Sequence, residues 1–276
     1  MGTIPEGFEI LPANILLRKD GVLIIKGESQ ELDIPLLPID SYSFADSPDI
    51  SESRLIDSGK FFKLFEETKK DVSAALYSLV EIDVSSELSE LLLYTSARPE
   101  DIYTLGYYGG STYIFVNDKA KFSNSEIKVT LFHETLHYLI SRANVHQEGL
   151  FSKENGKMEN YYLNEGLVSI LSEFYYDQSS TNAYTEEIKT AQAFFLMYGE
   201  DFLRDAFTSR KSVVEEDMRL IIGRLYTAFV IATDYYTQLT SELCITDRLF
   251  LRNSVIGLFQ KFVLDKGELW EVSCVG

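Results

Sequence analysis

The 276-residue chain is 45% hydrophobic and 13% aromatic, enough to bury a substantial core in one large domain or two small ones. Its 43 Asp and Glu against 25 Lys and Arg give a formal net charge of −18. No basic stripe or tail is present, so no nucleic-acid partner is expected and anionic membrane surfaces are disfavoured. The two cysteines, Cys244 and Cys274, form no C-x-x-C pair, which points away from a disulfide framework or a cysteine zinc site. No apolar run reaches about 18 residues; the nearest, 220-LIIGRLYTAFVIA-232, contains Arg224. The opening residues lack a basic segment followed by an apolar one. As it stands the chain reads as cytoplasmic, and a secreted mature form would read the same.

In chain order, 14-NILLRKDGVLIIK-26 has two apolar runs around Asp20-Gly21, a hairpin signal. Residues 40–58 are rich in Ser, Asp and Pro and predict a connecting loop. Phe61, Phe65, Val72, Leu76 and Leu79 recur at helical spacing. In 103-YTLGYYGGSTYIFVND-118, Gly109-Gly110 separates aromatic and β-branched runs and predicts a second hairpin. Strand 112–117 within it suits either an edge that an extended peptide could join or a buried core strand.

From about residue 123 the pattern turns helical. Ser123 with Glu126 makes a capping box for a helix running to about Arg142. A polar loop, 146–160, follows, and then helices at roughly 160–177, 184–207, 213–240 and 247–265. The reading is an α+β chain with a β-rich segment over 1–50 and a main domain over 51–276. Within that domain, 51–122 form an α/β lobe and 123–276 a helical lobe.

The segment 131-LFHETLHYLI-140 holds two of the chain's three histidines. His133 and His137 lie one helical turn apart, so both imidazoles leave the same face and can grip one zinc ion. Glu134 is placed beside the first of them to act as general base. H-E-x-x-H arises by chance in about one chain in a hundred of this size. Leu131, Phe132, Leu136, Leu139 and Ile140 predict that this helix is largely buried.

A catalytic zinc normally has a third protein ligand and one open position. The extended motif H-E-x-x-H-x-x-G-x-x-H is not met, because Ile140 and Ala143 stand where it needs Gly and His. His146 comes three residues too late and reads as a loop histidine. In 161-YYLNEGLVSILSEFYYD-177, Leu163, Leu167, Ile170, Leu171 and Phe174 form an apolar stripe. Glu165 lies off it, in the first turn, either as a ligand or as a glutamate favoured by the helix dipole. Gly166 costs about 1 kcal/mol against alanine in a helix, which predicts close approach of another backbone or of the histidine helix.

H-E-T-L-H followed by L-N-E-G resembles the gluzincin zinc metallopeptidases, a group that includes thermolysin and the aminopeptidase-N-like enzymes. The resemblance covers residues 133–166, and elsewhere only the layout is similar. It implies His133, His137 and Glu165 as zinc ligands and Glu134 as base. It also implies a zincin-like fold with a β-rich upper lobe, a helical lower lobe and the substrate cleft between them. Ser169 stands where thermolysin-like members carry an aspartate, which argues against that subgroup. The string 156-GKMEN-160 looks like an aminopeptidase-N motif but follows H-E-x-x-H instead of preceding it, and is read as coincidence. Gluzincins commonly stabilise the oxyanion with a Tyr or His from a later helix, and Tyr226 is the candidate here, with a core tyrosine as the alternative.

These residues predict a zinc-dependent peptidase acting on a peptide or protein substrate. Two other readings are a zinc-binding but non-catalytic interaction module on the same fold, and a helical protein whose motif is fortuitous.

Overall fold

The structure is a computed structural model that describes residues 8–11, 15–18, 22–26, 31–35, 53–95, 105–109, 112–119, 121–143, 150–151, 153–154, 157–158, 160–176, 185–208 and 211–222. His146, Tyr226 and the helix expected at 247–265 lie outside these residues. The chain divides into two compact units. One contains the N-terminal strands, the first residues of the helix that starts at Tyr161, and the helix after Ser212. The other spans residues 42–158 and 163–212.

In the first unit, β1 (Phe8–Leu11), β2 (Ile15–Arg18), β3 (Val22–Lys26) and β4 (Glu31–Pro35) form an antiparallel meander. Strand β2 pairs antiparallel with β3, with Leu17 opposite Leu23, as the expected hairpin requires, while Asp20-Gly21 lies outside the described residues. The helix α7 (Val213–Ile222), which the sequence reading joined to the helical lobe, groups with this sheet.

The second unit carries the motif. Helix α1 (Gly59–Val80) buries Phe65, Val72 and Leu76 and packs along α3 (Asn124–Ala143). The capping box forms: Ser123 N–H donates to Glu126 Oε2 (2.7 Å) and Glu126 N–H to Ser123 Oγ (3.2 Å). That pairing satisfies free donors at the start of α3. Leu131, Phe132, Leu136 and Ile140 are buried, as their spacing predicts. A short helix, α2 (Ser85–Glu90), leads into β5 (Leu92–Thr95).

The second hairpin joins β6 (Gly106–Tyr108) to β7 (Tyr113–Val116). Strand order is β5-β7-β6, with β5 parallel and β6 antiparallel to β7. This corrects one of the two options for strand 112–117. It is the central strand, with Ile114, Phe115 and Val116 buried, and the edge strands are β5 and β6. The segment at 53–58, expected as loop, docks on the sheet: Leu55 bridges to Tyr94, and Ile56 N–H donates to the Leu93 carbonyl.

Within the expected loop at 146–160, β8 (Lys153–Glu154) pairs with β9 (Lys157–Met158). Helix α4 (Tyr161–Tyr176) follows. Its Phe174 departs from the predicted apolar stripe and is 79% exposed. The last turn instead seats its neighbours: Tyr175 stacks on Phe132 of α3, and the Tyr176 hydroxyl donates to Asp71 of α1 at 2.9 Å. The helix expected over 184–207 is broken into α5 (Thr185–Tyr198) and α6 (Glu200–Phe207). Gly199 separates them at φ +54°, a conformation that glycine adopts without the steric cost of a Cβ. No helix among the described residues is long and apolar enough to cross a membrane.

Candidate metal centre

One turn of α3 projects His133 and His137 from the same face. Their Nε2 atoms are 3.0 Å apart. Glu165, in the first turns of α4, closes the triangle. Its Oε1 is 3.1 Å from His137 Nε2 and its Oε2 is 3.4 Å from His133 Nε2. His137 and Glu165 are buried, and His133 is nearly so. Among the described residues, the donor atoms of these three side chains converge within 4.8 Å.

The donor set fits a divalent metal. A tetrahedral zinc with bonds of 2.0–2.1 Å separates its ligand atoms by about 3.3 Å, close to the 3.0, 3.1 and 3.4 Å found here. Neutral imidazoles that carry their proton on Nδ1 turn two lone pairs on each other, with a carboxylate facing both. Glu165 Oε2 is buried and makes no hydrogen bond. Leaving such an atom unpaired costs free energy, and a cation at the centre of the triangle removes that cost. Burial alone would raise the Glu165 carboxyl, but the charge and hydrogen bonds of His137 and His133 in their protonated, metal-free form outweigh it and hold the group below its ordinary range.

Glu134 points from α3 toward the sheet. Its Oε2 accepts a hydrogen bond from the Tyr108 backbone N–H at 2.8 Å. In the β6–β7 ladder, Gly109 N–H bonds to the Tyr113 carbonyl and Asn117 N–H to the Leu105 carbonyl. The alternation of an antiparallel pair then turns the Tyr108 N–H outward from the sheet edge, where Glu134 meets it. Burial pushes the Glu134 carboxyl up to about 7. His133 and the Tyr108 N–H oppose that rise, and Glu165 adds to it.

The four residues of H-E-x-x-H and L-N-E-G that the sequence singled out thus come together. The hydrogen bond from Tyr108 was not anticipated. A backbone donor leaves no trace in residue identity, and the only available signal was the hairpin that positions it. Gly166 meets the expected close approach, and the neighbour is the backbone of α5, not α3: a Cβ there would lie 2.0 Å from the Glu187 carbonyl oxygen. Ser169, one turn beyond Glu165, is buried with its hydroxyl unpaired. Comparisons with protein-family models, with curated proteins and with solved structures find no match to this chain.

Proposed function

We propose that the chain is a zinc-dependent peptidase of zincin-like fold, with His133, His137 and Glu165 holding the metal and Glu134 acting as general base. The observation that carries this reading is the triangle of buried donor atoms at 3.0–3.4 Å with a second carboxylate beside it on the same helix. A zinc ion held by three protein ligands keeps one position open, lowers the pKa of water to about 7 and polarises a carbonyl as a Lewis acid.

The chain's own part is proton transfer and positioning. Glu134 takes a proton from the attacking water and returns it to the departing amine. The Tyr108 N–H restrains the carboxylate beside the edge strand, which limits the orientations it can adopt. A purely structural zinc site usually closes its fourth position with a protein ligand. Glu134, a second carboxylate beside the donor group, has no use in such a site, and its presence favours catalysis over a non-catalytic module.

The test is Glu134→Gln, assayed on a broad peptide library with zinc measured alongside. The reading expects full zinc content and loss of cleavage. Cleavage retained by that variant would exclude Glu134 as the base.

A further inference from the structure

We propose that Gly166 is a positioning residue for the metal centre: the close crossing of α4 over α5 that it permits sets how far Glu165 reaches toward His133 and His137. This inference rests on the zinc reading above.

The crossing leaves no room for a side chain. A Cβ at position 166 would lie 2.0 Å from the Glu187 carbonyl oxygen, 2.5 Å from its carbon and 3.0 Å from Ala191 Cβ. The first two are backbone atoms and cannot rotate aside. To relax the shortest contact even to 3.0 Å, the helices must separate by about 1 Å. Metal–ligand distances in well-formed sites lie within about 0.2 Å of their usual values. A shift at residue 166 of several times that size reaches its covalent neighbour Glu165 almost undiminished.

The surroundings determine which helix yields. Helix α5 is backed by α6: Ala191 and Phe194 are fully buried, and the Phe194 ring lies 5.6 Å from that of buried Phe202. Helix α4 is pinned at its far end, where Tyr175 stacks on Phe132 and Tyr176 bonds to Asp71. Pushed at residue 166, α4 therefore pivots about that end, and its first turns, which carry Glu165, move most. The glycine that follows the ligand is the small residue that keeps those turns seated.

The experiment compares zinc affinity, by competition with a chelator, and the visible spectrum of the cobalt-substituted protein in four chains: wild type, Gly166→Ala, Ala191→Val and Leu171→Ala. Ala191→Val enlarges the other side of the same crossing more gently and serves if Gly166→Ala does not fold. Leu171→Ala removes buried packing on the same helix away from the ligand, so it lowers thermal stability without pushing on residue 166. Expected are a loss of zinc affinity of about 10-fold or more and an altered cobalt spectrum in the folded crossing variants. Leu171→Ala should melt lower but bind as wild type does. If the folded crossing variants bind zinc as tightly as wild type with an unchanged cobalt spectrum, the inference is overturned while the zinc reading stands. A wild-type chain that takes up no zinc overturns both.

Discussion

The backbone N–H of Tyr108 donates to Glu134 Oε2 at 2.8 Å, so the edge strand β6 holds the carboxylate that neighbours the paired histidines. A strand and a helix distant in sequence thereby fix one side chain. The hydrogen bond leaves Glu134 half-buried, close to His133 and near enough to Glu165 for each carboxylate to feel the other.

If Glu134 is the base, its amide replacement separates binding from chemistry. Glutamine keeps the size of the side chain and loses the proton acceptor. General bases contribute about 10²–10⁴ in rate, so kcat should fall by at least that factor while zinc content is unchanged. Steady-state peptide cleavage together with elemental analysis checks both halves.

The same residue sets a pH dependence in the metal-stripped chain. Its carboxyl is raised from 4.5 to about 7 on folding. Between those values the folded state binds more protons than the unfolded state, so this group's contribution to stability declines as pH rises through the window. Glu134→Gln lacks that decline. The variant should gain on wild type by on the order of 1–3 kcal/mol between pH 4.5 and pH 7.5, read from denaturant titrations of both chains in chelator. A difference that is flat with pH would contradict the burial assigned to Glu134.

On the zinc reading, Glu165→Ala removes the ligand that α4 supplies. Loss of a group that merely supports a ligand costs about 10–100-fold in metal affinity, and loss of the ligand itself should cost more. In wild type, zinc at a hundred times its Kd should stabilise the fold by about 2.7 kcal/mol. Thermal melts with and without zinc should show that gain in wild type and little of it in the variant.

Ser123→Ala tests the opposite outcome, a loss of stability that spares the site. The Ser123 hydroxyl accepts from Glu126 N–H at the start of α3, ten residues before His133. Removing the cap should cost about 1 kcal/mol and lower the melting temperature with zinc stoichiometry unchanged.

Much of the centre was legible before the structure. The i, i+4 histidines, the apolar stripe beside them and the capping box are local features, and α3 follows them closely. The glycine after Glu165 signalled a close approach because an interior helix glycine is costly without a reason to be there. Which backbone approached it was not legible, since that depends on where α5 crosses. Non-local facts were missed in the same way. The period of strand 112–117 fits centre and edge alike, and only pairing with both β5 and β6 distinguishes them. Phe174 fits the helical stripe of α4 but is exposed, while its neighbours Tyr175 and Tyr176 find ring and carboxylate partners on α3 and α1. The break at Gly199 was hidden because residues on both sides continue a helical pattern.

The peptidase reading stands on a zinc ion held by His133, His137 and Glu165. Elemental analysis of the protein purified without added metal tests it most directly. About one zinc per chain is expected, lost in His137→Ala. A folded chain that carries little zinc, and takes up none after chelation and dialysis against it, would overturn the metal centre and the peptidase reading built on it.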